Sequence, residues 1–355
     1  MSRKIAFRYN LLRGGAFYAR LRALQSSPPH IRMQDDAQIK MSFSGTFGPY
    51  ARDVDGRRME IDWLRDEIQP VMIVDGTEHA LGVYIPTTHS EIQRGRRSYV
   101  SIEAYDRCQR VMDTNSAQML YWPRGTYYLD AVEQLLTAAG INTVFKTPNS
   151  AAFTEPREDW PVGTPFLQVA DELLAEINYN PLWFDAMGNA VLEPASVPEA
   201  SAIEHTLSDL DPGTLVVPGM TRRVDLFNAP NVFIVVCANP DKTGNLTATA
   251  INDNPQSPLS VPRRGRQIVQ VTQLNNIASA AELQAYAERQ RNDSLLTGET
   301  LNVTTGLLPG WGVSDVVAVH YGEMNSICIS RAYDMELKAG GKMSHVLEKV
   351  VYALE

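Results

Sequence analysis

The hydrophobic residues of this chain change their spacing twice, and this change limits the folds open to it. Over residues 35–110, apolar and polar side chains alternate, as in Ile39–Phe43 and Ser98–Tyr105, which is the two-residue period of a half-buried strand. Over residues 120–195, the apolar positions recur every three or four residues, as in a helix. From residue 228 the strand pattern returns. The sequence therefore predicts a β-rich part, an α+β part and a second β-rich part.

Turn and capping residues place individual elements within these parts. Asp75-Gly76 separates two apolar runs and predicts a hairpin, because both residues tolerate the positive φ angles of a tight turn. The periodic stretch Leu129–Ala139 predicts a helix that ends at Gly140. Thr164 and Pro165 predict the start of a second helix, with threonine as the cap and proline at the first helical position.

The last third of the chain reads as strands interrupted by one helix. Val232–Cys237 is a nearly continuous run of β-branched residues, which predicts a strand buried on both faces. A turn is expected at Asp241–Gly244, and the capping box formed by Ser279 and Glu282 predicts a helix. Further strands are expected at Leu246–Ile251, Gln267–Gln273, Glu299–Thr305, Asp315–Tyr321 and Ile327–Tyr333.

The charge of the chain differs between these parts. The formal net charge is −9 overall, but residues 1–112 carry 17 basic and 13 acidic groups, residues 113–200 carry 3 and 12, and residues 201–355 carry 12 and 16. We expect three domains with these boundaries. Residues 1–34 contain basic residues and no acid, which favours a solvated or partner-facing segment, although a transit peptide has a similar composition.

Several classes of protein are disfavoured. No apolar run approaches the roughly 18 residues of a membrane span. Three cysteines without a C-x-x-C spacing provide neither a disulfide framework nor a zinc site. No H-E-x-x-H or G-x-S-x-G motif occurs, and Gly310-Trp311-Gly312 fits a turn better than a dinucleotide loop. The sequence therefore predicts a non-enzyme with no cofactor and no metal.

Two groups of arginines are the candidate interface residues. They are Arg94, Arg96 and Arg97 in the first part, and Arg263, Arg264 and Arg266 in the last. Clustered arginines could neutralise phosphates, but only Tyr99 lies near either group to stack on a base. Contact with other proteins, or an ordinary position in a loop, is therefore the favoured interpretation.

Several segments together resemble the baseplate hub proteins of phage tails and contractile injection particles. They are Ile68–Thr77, Leu81–Thr88, Glu176–Gly188 and the stretch from Asn228–Asn231 through Asn252–Ser260. Together with the helix near Leu283 they cover residues 60–330 by order and spacing. The resemblance implies a mainly β fold with two tail-tube-like β-barrel domains and a small α+β insertion. It also implies a homotrimer that joins the tail tube protein to the central spike protein.

The same resemblance implies a place and further partners. We expect the chain in the tail baseplate of a virion that is assembled in the host cytoplasm, in contact with other baseplate proteins and the tape-measure protein. Two alternatives remain open at this point. A tail-associated cell-wall hydrolase could use carboxylates without a linear signature, although the acidic stretch Glu155–Asp159 fits a solvated loop better. A sugar-binding module would need exposed aromatic platforms, for which Trp122 and Trp311 are candidates.

Overall fold

The computed structural model describes residues 3–195, 202–211, 213, 215–224, 229–237, 246–274, 276–294 and 296–350. The first β-rich part, residues 5–106, contains ten strands: β1 (Ile5–Arg13), β2 (Ala16–Leu21), β3 (His30–Gln34), β4 (Met41–Phe47), β5 (Ala51–Arg52), β6 (Arg58–Met59), β7 (Asp66–Val74), β8 (Thr77–Ala80), β9 (Tyr84–Arg94) and β10 (Arg97–Asp106). The α+β unit follows, with α1 (Cys108–Asp113), α2 (Tyr128–Ala138), β11 (Val144–Lys146), α3 (Phe166–Glu176), β12 (Trp183–Phe184) and β13 (Ala190–Leu192).

The remainder of the chain returns to strands. Its elements are β14 (His205–Ser208), β15 (Thr221–Val224), β16 (Val232–Cys237), β17 (Leu246–Ile251), α4 (Val261–Arg264), β18 (Val269–Leu274), α5 (Ala280–Ser294), β19 (Leu296–Gly306), β20 (Val316–Tyr321), β21 (Met324–Glu336) and β22 (Lys342–Val350). The predicted order of a β-rich, an α+β and a second β-rich part is confirmed.

Sixteen of the described strands form one hydrogen-bonded sheet. Its main path runs β15-β19-β22-β21-β3-β4-β10-β9-β7-β1-β2-β5-β6, with β8, β14 and β20 paired to members of that path. The antiparallel pair β3–β21, from Ala332 opposite Gln34 to Glu336 opposite His30, joins the two ends of the chain. One apolar core therefore contains Phe43 and Tyr84 from the first part together with Tyr333 and Leu347 from the last.

The basic start of the chain belongs to this sheet. Residues 1–34 were expected as a solvated or partner-facing segment, and that expectation is wrong for most of it. Strand β1 pairs with β7 along its whole length, and it buries Tyr9 and Leu11 in the core while Arg8 points the other way. Alternation within β1 thus places Arg8 on the face opposite to Tyr9 and Leu11.

The local predictions in the first two parts are largely confirmed. Asp75 and Gly76 have φ angles of 50° and 92° and link β7 to β8. Helix α2 is followed by Gly140 at φ 78°. The predicted cap of the second helix is wrong, because Pro165 is itself the N-cap residue of α3 and the Thr164 hydroxyl donates to the Pro161 carbonyl at 2.8 Å.

A small sheet of β17, β16 and β18 carries helix α5 on one face. The predicted strand Val232–Cys237 is confirmed, but its burial on both faces is not. Val235 is fully buried against the side of α5, whereas Ile234 is half-buried and its neighbour Val271 on β18 is 60% exposed. Ser279 caps α5 by accepting the Glu282 amide at 3.1 Å. The turn predicted at Asp241–Gly244 and the boundary predicted near residue 200 lie outside the described residues.

Candidate functional site

The hairpin formed by β9 and β10 presents the first group of candidate arginines. Arg94 pairs with Arg97 across the hairpin, and Gly95, at φ 62°, and Arg96 make the turn. All three arginine side chains are exposed. The tip extends beyond strand β4, whose pairing with β10 begins at Val100. The arginines therefore lie at the end of an arm that projects from the sheet.

The outer edge of this arm is open along most of its length. Strand β9 pairs with β7 only where Ile68 lies opposite Tyr84, so from Ile85 to Arg94 no other described strand covers its second edge. Residues 87–91 are exposed polar or charged side chains, which is how natural sheets keep an open edge from aggregating. An open edge of this kind can accept a strand from another chain.

The loop before β7 packs against the arm. The Trp63 ring stacks on His89 of β9 with 5.6 Å between ring centres and an angle of 23° between the planes. Next to Trp63, Leu64 is 96% exposed. The exposed Leu64 is therefore next in sequence to a residue that contacts the open strand β9.

The second group of candidate arginines lies at the short helix α4 beside the small sheet. Arg263 and Arg266 are exposed, but Arg264 is half-buried and donates from Nη1 to the Ala229 carbonyl at 2.6 Å. The Arg266 carbonyl accepts the side-chain amide of Asn231, which is fully buried. Arg264 therefore holds a loop in place with one side of its guanidinium, and its role at an interface stays a prediction. The first group of arginines belongs to the large sheet, whereas the second lies at α4 beside the small sheet.

A cavity of about 270 Å³ lies where the three parts of the chain meet. Residues of the first part, of the α+β unit and of the last part all contribute to its wall, among them Tyr84, Asp106, Asp185, Glu204, Trp311 and Asp315. The sequence did not predict this cavity. The Gly310-Trp311-Gly312 turn is the one part of the cavity wall that stands out in the sequence. The other residues of the wall come together only in the folded chain.

The carboxylates around the cavity are engaged in holding loops. Asp106 accepts the Cys108 amide at 2.8 Å, and Asp185 accepts the amides of Met187 and Asn189 at 2.9 and 2.8 Å. Asp315 accepts the Gly312 amide at 2.6 Å and lies 2.9 Å from His205 Nε2. These bonds fix the backbone around the cavity.

Burial alters the titration of several groups in this region, among them Asp106 and His345. It raises the pKa of Asp106 to about 6, because the carboxylate is removed from water. It lowers the pKa of His345 to about 3, with repulsion from His205 as the smaller cause. His345 packs against Trp311, with 4.3 Å between ring centres. These shifts come mainly from burial, which is typical of a core polar group as well as of a reactive one.

The aromatic candidates for sugar binding are both interior residues. Trp122 is 5% exposed and Trp311 is 8% exposed, and the Trp311 ring is stacked on His205 at 4.3 Å. A sugar platform requires an open ring face, so neither residue provides one. The acidic residues Glu155, Glu158 and Asp159 are exposed, as expected for a solvated loop.

Among the residues that the structure describes, no group of three or more His, Cys, Asp or Glu side chains is arranged to hold a metal ion. None of the described helices is both long and apolar enough to cross a membrane.

Comparison with solved structures identifies the fold. A tail protein from Neisseria meningitidis superimposes with a TM-score of 0.67 and 16% identity, over 97% of this chain and 96% of that one. The 43 kDa tail protein of prophage MuSo2 from Shewanella oneidensis gives a TM-score of 0.63 and 14% identity, over 96% and 98%. A component of the type VI secretion system of E. coli gives a TM-score of 0.50 and 11% identity, over 95% of this chain and 77% of that one. That protein is itself described as similar to the T4 tail proteins gp27 and gp5.

These likenesses extend over nearly the whole chain. No protein-family model matches the sequence, and no curated protein sequence matches it. At these identities the comparison concerns the fold alone. The resemblance to phage tail baseplate hubs is confirmed at that level, and so is the mainly β fold class.

Proposed function

We propose that the chain is a structural baseplate hub of a phage tail or a related contractile particle. The observation that carries this proposal is the fold it shares, over 96% or more of both chains, with two proteins described as tail proteins. The hub would join the tail tube to the central spike and to the surrounding baseplate. Its chemistry is recognition through sheet edges and surface side chains, without a reaction.

The assembly that we propose is a homotrimer. A tail tube built from sixfold rings must meet a spike that is usually threefold, and a subunit with two tube-like barrels resolves this mismatch, because three copies supply six barrels. Closed cyclic assembly also covers sheet edges that an isolated subunit leaves open. The open edge of β9 is one such edge.

The exposed arginines suit contacts with the other proteins of the particle. Arg94, Arg96 and Arg97 extend from the sheet on the hairpin arm, and Arg263 and Arg266 are exposed beside the small sheet. Arginine pairs well with surface carboxylates because its planar group donates two parallel hydrogen bonds. Their proposed partners are the tail tube protein, the central spike protein, other baseplate proteins and the tape-measure protein, in a virion assembled in the host cytoplasm.

The alternative of a cell-wall hydrolase lacks a supporting observation. The carboxylates gathered at the cavity bind backbone amides of their own loops, and the acidic loop 155–159 is exposed. A zymogram on peptidoglycan separates the two functions. The structural proposal predicts no cleared band at the mass of the chain.

The direct test of the proposal is the position of the chain in an intact particle. Purified tail particles would be labelled with an antibody against the chain and imaged by electron microscopy. We expect label at the baseplate end of the tail only. Label distributed along the tube, or none on particles that still contain a complete baseplate, would overturn the proposal.

A further inference from the structure

Three arginines that are distant in sequence lie side by side on the surface of the large sheet. Arg20 of β2 lies opposite Arg52 of β5, and Arg52 lies opposite Arg58 of β6. Residues opposite each other in neighbouring strands face the same side of a sheet, and the strands are about 5 Å apart. All three side chains are exposed. We call this set the arginine row.

The arginine row has no ion-paired carboxylate within residues 3–195, where the structure is described without a gap. Arg52 Nη1 donates to the uncharged carbonyl of Gly56 at 2.6 Å. The nearby carboxylate of Glu78 is bound by Arg8, whose hydrogen bond holds the pKa of Glu78 below its usual value, with a weaker contribution from Arg20. Like charges placed directly opposite each other destabilise a sheet, so an anionic partner would relieve the row.

The aromatic neighbours of the row favour a protein partner over a nucleic acid. The Arg58 guanidinium lies 3.7 Å from the centre of the Tyr50 ring, and Arg20 lies 5.6 Å from that of Phe17. Binding of single-stranded nucleic acid uses open aromatic faces on which bases stack, and here arginines already lie over these rings. Carboxylates remain the natural ligands, because guanidinium groups bind them in pairs of parallel hydrogen bonds.

The same chain carries a complementary surface in its α+β unit. Residues 113–200 hold 12 acidic and 3 basic groups. In the loop 154–159, which we call the acidic loop, Arg157 turns inward to the buried Glu176 and leaves Glu155 and Glu158 exposed. Neither of these glutamates forms a hydrogen bond or an ion pair with any residue that the structure describes.

The acidic loop is held in a fixed position. The Arg157 amide donates to the Trp122 carbonyl at 2.8 Å, and the Trp122 amide donates back to the Arg157 carbonyl at 3.0 Å. The guanidinium of Arg157 also lies over the rings of Phe153 and Trp160. A rigid loop presents its charges without a large loss of conformational freedom on binding.

We propose that the arginine row of one copy of this chain docks on the acidic loop of a neighbouring copy. This inference rests on the proposed homotrimer and names the surfaces that would hold it together. A ring needs a head-to-tail contact between two different patches of the same chain, and these two patches have opposite charge. The row and the loop form no ion pair with each other within one described chain, so both are available to a second copy.

An exchange of charges in the full chain tests this contact. One variant carries Arg20→Glu and Arg58→Glu, a second carries Glu155→Arg and Glu158→Arg, and a third carries all four substitutions. A control carries Arg57→Glu and Arg65→Glu, which make the same change of charge at exposed arginines outside the row. Analytical ultracentrifugation over a range of concentrations measures assembly, and circular dichroism verifies that each variant is folded.

The expected pattern is specific to a contact between these two surfaces. Each reversal alone should raise the concentration needed for half-assembly by roughly tenfold or more, because like charges then meet. The variant with all four substitutions should recover most of the loss, and the control should stay within about twofold of the natural chain. Raised salt should weaken assembly of the natural chain.

The other outcomes overturn the inference in distinguishable ways. If the natural chain forms trimers and the reversals leave them unchanged, the docking contact is wrong while the hub proposal stands. If the natural chain is monomeric over the whole concentration range, both alone and mixed with the spike and tube proteins of its particle, the homotrimer and the contact fail together. If the natural chain binds a single-stranded DNA oligonucleotide and reversal of the row abolishes only that binding, the row is a nucleic-acid site instead.

Discussion

Arg157 and Glu176 are joined by two parallel hydrogen bonds inside the α+β unit. Nη1 lies 2.7 Å from Oε2 and Nη2 lies 2.8 Å from Oε1, and the Tyr128 hydroxyl donates to Oε2 at 2.9 Å. Arg157 is 4% exposed and Glu176 is 7% exposed. Burial raises the pKa of Glu176, while the arginine and the tyrosine oppose that rise. The pair therefore connects the loop 154–159 to helix α3 at a site from which water is excluded.

Removal of the arginine from this pair should be costly. Arg157→Ala leaves the Glu176 carboxylate buried without its cation, so we expect a loss of about 3–5 kcal/mol in the free energy of unfolding. Arg124→Ala makes the same substitution at an exposed arginine of the same unit and should change it by about 0.5 kcal/mol or less. Urea denaturation of both variants measures the difference. Equal effects would show that the pair does not hold the loop.

A second prediction concerns the pH dependence of Asp106. Burial raises its pKa from 3.8 to about 6. Between these two pH values, the folded chain therefore keeps a proton on Asp106 that the unfolded chain has lost. The stability that it contributes is present below about pH 4 and is lost as pH rises through 6. A shift of two pKa units corresponds to roughly 2–3 kcal/mol in the free energy of unfolding.

Asp106→Asn separates this contribution from all other titrations. The amide oxygen of asparagine can still accept the Cys108 amide, but it carries no charge at any pH. The free energy of unfolding of the variant, relative to that of the natural chain, should rise by roughly 2–3 kcal/mol between pH 4 and pH 8. Chemical denaturation at both pH values tests this. A difference that is independent of pH would mean that Asp106 is ionised in the fold like an exposed aspartate.

The two faces of the small sheet should respond differently to the same substitution. Val235 is 0% exposed on the face covered by α5, so Val235→Asp places a charge in the core and should cost several kcal/mol. Val271 is 60% exposed on β18, and Val271→Asp should cost about 1 kcal/mol or less. Thermal or urea denaturation compares them. A folded and equally stable Val235→Asp variant would contradict the observed packing.

The features that could be predicted from the sequence depend on neighbours in the chain. The Asp75-Gly76 turn and the end of α2 at Gly140 follow from the φ angles that these residues adopt. The cap at Ser279 follows from a hydrogen bond across three residues. Each of these features involves few residues, so a short stretch of sequence contains all the information needed.

The features that were missed depend on distant pairing. Strand β1 alternates correctly, but its partner β7 lies about 60 residues away, so its basic residues suggested a solvated segment. The two β-rich parts of the chain are joined by β3 and β21, which are about 300 residues apart. No sequence pattern specifies such a register, because side-chain alternation fixes the face of a strand and not its neighbour.

The interface candidates illustrate the same limit. Arg94, Arg96 and Arg97 are close in sequence and are exposed together at the end of one hairpin. Arg264 belongs to an equally conspicuous group, yet it donates to the backbone carbonyl of Ala229, an acceptor that every residue carries. The arginine row escaped notice because Arg20, Arg52 and Arg58 meet only through strand register.

The mass of the purified assembly tests the central claim most directly. Mass photometry would be performed on the full chain, alone and mixed with the spike and tube proteins of its particle. The hub account predicts three copies of the 39.4 kDa chain, about 118 kDa, as the unit present at each particle end. A stable count of one, two or six copies would contradict it.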